Sequence, residues 1–578
     1  MLAKWARDSR LHLLIILAVY AVAAAVMQVQ CADLLTSDGQ NYLRMAVYYV
    51  QGDWDHAIFG HWSPLGAWMT VPLVAVGMVP RYAFRLMIGL WGALAVAGAW
   101  RLAGRFGMGS WLRAAATVCA AALVVEFSAD HRVDLLLTAL LLFYLDAAMH
   151  ERLLEGRGWA HLAGVLAGMA YLAKLYALPF FVAHFTLVVL LRGIVGKVDR
   201  QEAPSAEQSA ITNPQSQMAA PGFTRRLFLM GRAWLAGLIG FALIAAPWVG
   251  VLSARLGRLT FGTAGATSYA LVGPGSGDAR RRMITGLRKP PADAYNVWQD
   301  ATQDVARPAD GAPSPLSSVG AAVRQLRVVG ENVVRIGEHL ASVDEFRLAL
   351  GALALTPLAL LVSVRRREAR FRYAALLATV GVFCGGYALV QAANARYFWF
   401  VFLVLLVAAF HYVGAVTGGL ARWAPRLKSG ARLLAVAGGV AAVVSFGYHP
   451  VRFAGTVLSH PPLGREHRVV AERLRELGVD GPLAAVGERG WWDGLHTAYY
   501  LDAKYAGAPK ATAPVRIVAE MRGAEVQTLL VWGRPALAAA LGAKAGVERV
   551  GVIPSADVAG LEADVVVLRV REQPPAAE

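Results

Sequence analysis

Long apolar runs organise this chain. From Leu11 to Val29 nearly every position is aliphatic or small, about the roughly 20 residues a helix needs to cross a ~30 Å hydrocarbon core. Runs of that kind recur as far as Phe446, a repetition for which a water-soluble fold has no use. The pattern predicts about eleven membrane helices, near 11–29, 83–101, 112–128, 132–149, 161–174, 176–191, 227–251, 346–364, 373–391, 396–417 and 431–447. The stretch 161–191 reads either as two short spans or as one long tilted helix. Outside the spans, 30–82 is amphipathic, and 193–224 is rich in Ser, Gln, Ala and Pro and is expected to be disordered. A long loop covers 252–345.

After residue 447 the pattern changes. Helical stretches (Arg465–Leu477, Pro535–Lys544) alternate with short β-like runs (Leu483–Val486, Thr528–Val531, Val550–Ile553, Val565–Val570). The alternation predicts a small soluble α/β domain with a mostly parallel sheet. The expected division is an α-helical polytopic membrane domain over 1–447 and a soluble α/β domain over 448–578. The latter has no Gly-rich phosphate loop, so a nucleotide-binding role is not expected.

Composition supports the membrane reading. Of the 578 residues 57% are hydrophobic and 16% charged, against ~25% charged in ordinary soluble domains. The net charge of +17 does not point to nucleic acid, because most of the excess sits in short loops between apolar runs. With a cytoplasmic N-terminus, Arg101, Arg105, Arg113, Arg152, Arg157, Arg192, Lys197, Arg200, Arg225 and Arg226 all lie inside. So do the later clusters Arg365–Arg367 with Arg370 and Arg372, and Arg422, Arg426, Lys428 and Arg432. Only Arg132, Lys174 and Arg396 mark the short outer turns. This bias predicts a cytoplasmic N-terminus and a periplasmic C-terminal domain, provided 161–191 is a helix pair. Lys4, Arg7 and Arg10 before the first run read as an uncleaved signal anchor. Cys31, Cys119 and Cys384 form neither a disulfide framework nor a zinc spacing.

The chemistry-bearing residues gather in the outer turns. The first loop opens Thr36-Ser37-Asp38-Gly39-Gln40-Asn41-Tyr42-Leu43 and continues to Gly60-His61-Trp62-Ser63-Pro64-Leu65. Asp130 and Asp134 open the fourth span, four residues apart and so on one helix face. Acidic groups at membrane helix ends are costly and mark functional positions. The bland alternatives are that Asp38 caps a helix starting near Gln40, that Asp134 pairs with Arg132, and that Lys174 snorkels to the interface.

This order of motifs resembles the GT-C superfamily of membrane glycosyltransferases, nearest to the protein O-mannosyltransferases and the aminoarabinose transferases. The resemblance rests on several features in sequence. An early Asp is followed by a Tyr and a small residue, then by the Pro-Leu segment. An Asp opens the fourth span. The run Gly164-Val-Leu-Ala-Gly-Met-Ala-Tyr-Leu-Ala-Lys174 follows, and Arg396-Tyr397 opens the tenth span. It covers about 30–190, and 346–450 more loosely. The family's first motif has two acidic residues in a row where this chain has Asp38-Gly39. The aminoarabinose group has a Glu-Lys pair where this chain has Trp62-Ser63.

The resemblance implies transfer of a sugar from a polyprenyl-phosphate donor to an acceptor hydroxyl on a protein, lipid or glycan, at the outer face of a bacterial inner membrane. Asp38 is then the expected general base. Asp134, or else Asp130, would orient the acceptor or the base. Arg396 and Lys174 would hold the donor phosphate, with His61, Tyr42 and Tyr397 as further substrate contacts. On this reading Asp38→Asn costs turnover and leaves donor binding nearly unchanged. The sugar carrier is a substrate, so no cofactor is expected. No His/Cys/carboxylate cluster demands a metal, and metal dependence stays open. The expected partners are the lipid-linked donor, the acceptor and membrane lipids, with no nucleic acid. Two other classes remain: a transporter or flippase of a lipid-linked glycan, for which no inverted repeat stands out, and a catalytically inactive GT-C scaffold.

Overall fold

A computed structural model of the chain, describing residues 9–155, 157–195, 221–272, 286–288, 317–341, 346–363, 366–390, 394–423 and 428–571, turns each predicted span into a helix. In chain order come α1 (Ser9–Gln30), the first-loop helices α2 (Ser37–Gln51), α3 (Trp54–Ala57) and α4 (Leu65–Ala75), then α5 (Pro80–Arg105), α6 (Ser110–Phe127) and α7 (Asp134–Ala148). They are followed by α8 (Arg157–Ala173), α9 (Ala177–Val195), α10 (Pro221–Leu256), α11 (Ala264–Val272), α12 (Val319–Ala341), α13 (Phe346–Val362), α14 (Arg367–Val390), α15 (Trp399–Trp423) and α16 (Lys428–Ser459). Among the described residues seven helices are long and apolar enough to cross a membrane, those of α1, α5, α6, α9, α10, α14 and α15. The remaining predicted spans, α7, α8, α13 and α16, are helices as well. The chain is a multi-pass membrane protein. The stretch expected to be disordered falls mostly at 196–220, outside the described residues.

The stretch 161–191 is a helix pair that turns at Lys174–Tyr176. Its two members run in opposite directions along α10. On α8, the Leu154 carbonyl before it meets Arg232 and Tyr171 at its end meets Phe241. On α9, Phe181 stacks on Phe241 and Gly193 abuts Met230. Contact between α8 and α10 is backbone to backbone. A Cβ at Gly164 would overlap the Gly237 carbonyl, and one at Gly240 would overlap the His161 carbonyl. Without a hydrophobic drive between helices in lipid, such close small-residue crossings supply the packing.

The C-terminal region comprises α17 (Arg465–Glu476), β1 (Leu483–Val486), α18 (Gly490–Leu501), β2 (Tyr505–Gly507), α19 (Pro514–Gly523), β3 (Thr528–Trp532), α20 (Pro535–Gly542), β4 (Val547–Ile553) and β5 (Val565–Val570). The sheet order is β2-β1-β3-β5-β4. Strand β1 is parallel to β2 and β3, but β5 is antiparallel to both β3 and β4. The sheet is therefore mixed rather than mostly parallel. Helical crossovers α18 and α19 carry the chain between the parallel strands, whereas only a short 3₁₀ turn at Ser555–Asp557 separates β4 from β5, so β5 returns antiparallel. The division at 447/448 falls inside α16, which continues to Ser459.

This region is pinned to the first loop. Arg468 Nε donates to Asp33 Oδ2 at 3.1 Å, the Tyr500 hydroxyl donates to the Asp33 carbonyl at 2.7 Å, and Arg44 pairs with Asp502 at 2.6 Å. The α/β region and the first loop thus share one end of the bundle. The basic segments sit at the other end, where Arg101 and Arg105 both hold Asp146 and Arg192 holds Glu368.

Because the α8–α10 contact leaves no room for a side chain, Gly164→Val and Gly240→Val should each cost about 1–3 kcal/mol through overpacking. Thermal unfolding in detergent is the check. An unchanged midpoint in both variants would contradict the close crossing.

Candidate active site

Helix α2 begins at a Thr36 cap. The Thr36 hydroxyl oxygen accepts the Gly39 N–H at 3.0 Å, so the cap is Thr36 and not Asp38. Asp38 sits in the first turn, where the helix dipole favours its charge, with its carboxylate free to point elsewhere. Arg396 Nη2 donates to Asp38 Oδ2 at 2.7 Å, across 358 positions of chain. Arg132 Nε lies 3.8 Å from the same oxygen.

Three further elements converge there. Asp134 is the first residue of α7 and is buried. Lys174, just past the end of α8, hydrogen-bonds its carboxylate. Arg396 stands on a 3₁₀ turn, Ala395–Phe398, that leads into α15, and its Nη1 is 3.9 Å from Asp134 Oδ2. The Tyr397 ring lies beneath both cations, 4.5 Å from Lys174 Nζ and 5.1 Å from the Arg396 guanidinium carbon. Asp130 pairs with Arg132 in the turn before α7. Tyr42 is one turn along α2 from Asp38, close enough to feel Asp38 and Asp134, and meets Trp62 edge-on at 5.7 Å. His61 is packed beside Trp62 and within electrostatic reach of Asp38. The structure thus brings Asp38, Asp130, Asp134, Lys174, Arg396, His61, Tyr42 and Tyr397 to one place.

Burial alone would push the Asp38 carboxyl up, but Arg396 foremost, then Arg132 and Lys174, hold it below the usual carboxylate range. Burial pushes Asp130 up against the pull of Arg132 and Arg396. Burial lowers His61 from 6.5 to about 4 despite the nearby Asp38 charge, so it is neutral at pH 7. Among the described residues no group of three or more His, Cys, Asp or Glu side chains is placed to share a metal ion.

Some site residues had no signal in the sequence. The Tyr387 ring stacks on Tyr397 at 5.1 Å, and its hydroxyl is buried with no hydrogen-bond partner. His131 and Gln40 are buried beside the site, with both ring nitrogens of the first and both amide atoms of the second unpartnered. From the α/β region His496 comes within electrostatic reach of Arg132. Each is placed by tertiary contact alone.

Among known proteins, no family model matches the chain and no curated relative matches. Solved structures do. ArnT from Cupriavidus metallidurans bound to undecaprenyl phosphate superposes with a TM-score of 0.53 and 15% identity, over 96% of this chain and 97% of that one. Apo ArnT gives a TM-score of 0.52 at 15% identity, over 96% and 99%. The oligosaccharyltransferase AglB from Archaeoglobus fulgidus, in complex with an inhibitory peptide and a dolichol-phosphate, gives 0.50 at 11% identity, over 91% of this chain and 70% of that one. The chain has the GT-C fold.

Within the GT-C fold, the single Asp of the first motif has a steric cause. A Cβ at Gly39 would overlap the His131 carbonyl and stand 2.6 Å from His131 Nδ1. The turn between α6 and α7 occupies the space a second acidic side chain would need. Trp62, where the aminoarabinose group carries a charged pair, packs instead on Tyr42.

An acidic side chain at position 39 should therefore do harm. Gly39→Asp must displace the turn that carries Asp130, His131 and Arg132, with a cost of about 1–3 kcal/mol, and should lower thermal stability and disorder the site. A stable Gly39→Asp variant with unchanged ligand binding would contradict the packing described.

Proposed function

We propose that this GT-C protein is a glycosyltransferase that moves a sugar from a polyprenyl-phosphate donor to an acceptor hydroxyl at the outer face of a bacterial inner membrane. The observation that carries the reading is the pairing of Asp38 with Arg396, beside Asp134 with Lys174, at one end of the helix bundle. A base and phosphate-binding cations are what this chemistry requires of a protein, because the lipid phosphate is already a good leaving group. A transporter would hold its ionisable groups near mid-membrane, at a repeat interface.

In the reaction, Asp38 accepts the proton of the acceptor hydroxyl. The acceptor oxygen bonds to the anomeric carbon, and the bond from that carbon to the phosphate oxygen breaks. Its electron pair leaves with the lipid phosphate. Arg396 and Lys174 stabilise the growing negative charge in a poorly solvated place, where such stabilisation is strongest. Asp134 holds Lys174 in position, while neutral His61 and Tyr42 offer hydrogen-bonding groups to the sugar or acceptor.

The charges support an orientation as well. The basic segments gather at the end opposite the site, and the positive-inside bias then favours a cytoplasmic N-terminus with the site and α/β region outside. Reporters fused after residue 578 and inserted within 193–224 should report opposite sides, the first periplasmic. Both on one side would overturn this orientation.

Turnover tests the chemistry. Asp38→Asn keeps the size of the side chain and should lower the transfer rate by ~10²–10⁴. Arg396→Ala should weaken donor binding as well as turnover. A near wild-type rate in Asp38→Asn, in monodisperse protein, would place the base elsewhere.

A further inference from the structure

The Arg396 guanidinium is only partly used. Nη2 donates to Asp38, whereas Nη1 is 3.9 Å from Asp134, beyond hydrogen-bond reach. Nη1 and Nε are both buried without a hydrogen-bond partner. Buried donors of this kind are rare and call for an explanation. The Tyr387 hydroxyl is in the same state. Its ring is clamped between Tyr397, stacked at 5.1 Å, and Tyr176, stacked at 4.0 Å. It lies within electrostatic reach of Arg396 and Asp134. Three groups able to donate, Nε, Nη1 and the Tyr387 hydroxyl, thus stand without a hydrogen-bond partner, and Lys174 lies over the Tyr397 ring on which Tyr387 stacks. Arginine offers its N–H groups in a fork that matches phosphate oxygens.

We propose that the unpartnered edge of Arg396 together with the Tyr387 hydroxyl forms the seat of the lipid phosphate, and that this phosphate and Asp38 compete for the one guanidinium. The proposal rests on the glycosyltransferase reading and deepens it. A donor phosphodiester draws Arg396 away from Asp38 in part. As the sugar leaves, the phosphate keeps the electron pair, its negative charge grows, and it draws Arg396 further. Asp38 loses its counter-ion as the acceptor proton arrives. The groups facing Asp38 are Arg396 before α15, Arg132 and Asp130 before α7, Asp134 on α7, Lys174 after α8, and Tyr42 and His61 of the first loop. Burial opposes the Asp38 charge and Arg396 is the foremost opposing influence, so withdrawal of Arg396 makes the carboxylate a stronger base. On this proposal Asp38→Asn changes donor binding as well as turnover.

Undecaprenyl phosphate is the probe, titrated into the full-length protein in nanodiscs. Removing the competitor in Asp38→Asn should tighten binding ~10-fold, the scale of a hydrogen bond to a charged group. Asp130→Asn also deletes one negative charge nearby, but its partner is Arg132, and it should change binding by no more than ~2-fold. Tyr387→Phe removes only the hydroxyl and should weaken binding ~5–10-fold. Unchanged or weaker binding in Asp38→Asn, or equal tightening in Asp130→Asn, would overturn the sharing of Arg396. Unchanged binding in Tyr387→Phe would remove Tyr387 from the seat. No binding to the wild-type protein at any concentration would sink the polyprenyl-phosphate reading itself.

Discussion

The ion pair between Asp38 and Arg396 joins the first loop to the turn before α15, and the neighbouring pair of Lys174 and Asp134 joins the end of α8 to the start of α7. A bare charge at the boundary of a membrane is expensive, so each of these groups is held where it has a partner. The pairs therefore do two things at once. They fasten four helix ends into a single cluster, and they leave that cluster with two carboxylates and two cations in contact. The same constraint explains Arg85, which donates to the carbonyls of Leu34, Ser128 and Ala129 and so binds the first loop to the turn carrying Asp130 and Arg132.

The scaffold beneath the cluster is built from close backbone contact. Gly164 and Gly240 let α8 lie against α10, and that contact sets where Lys174 emerges. Gly39 lets α2 press on the turn at His131, which sets where Asp38 points. Above the cluster, Asp33 receives Arg468 and, through its carbonyl, Tyr500. The α/β region is thus fixed over the site through α18 and brings His496 toward Arg132. Arg396 and Asp38 are positioned by elements from both halves of the chain, which is why neither half alone contains a site.

The helices were legible because their signal is local. Twenty apolar residues in a row say the same thing wherever they occur. The turn at Lys174–Tyr176 was readable only indirectly, through the side on which later arginine clusters had to fall. In the α/β region β1, β3 and β5 were placed closely by their apolar runs, but β2 has only three residues and left no pattern. The antiparallel return of β5 is a property of the connection before it rather than of its own residues. In the site, Asp38, Asp134, Lys174 and Arg396 stood out as charges at helix ends in a recurring order. Tyr387, His131 and Gln40 did not, because a buried polar group without a partner is visible only once its surroundings are known. Thr36 could have been found as the cap, since Thr before a Ser-Asp-Gly-Gln helix start fits that role at least as well as Asp38.

On the proposed function, the cluster breaks the bond between a sugar and a lipid phosphate. The purified protein should therefore be incubated with a panel of polyprenyl-phosphate sugars and an envelope extract as the source of acceptors, and the free lipid phosphate quantified. At least one donor should yield free lipid phosphate in step with sugar appearing on the acceptor. A donor that binds, or crosses between leaflets, while its sugar–phosphate bond stays intact across the whole panel would contradict it.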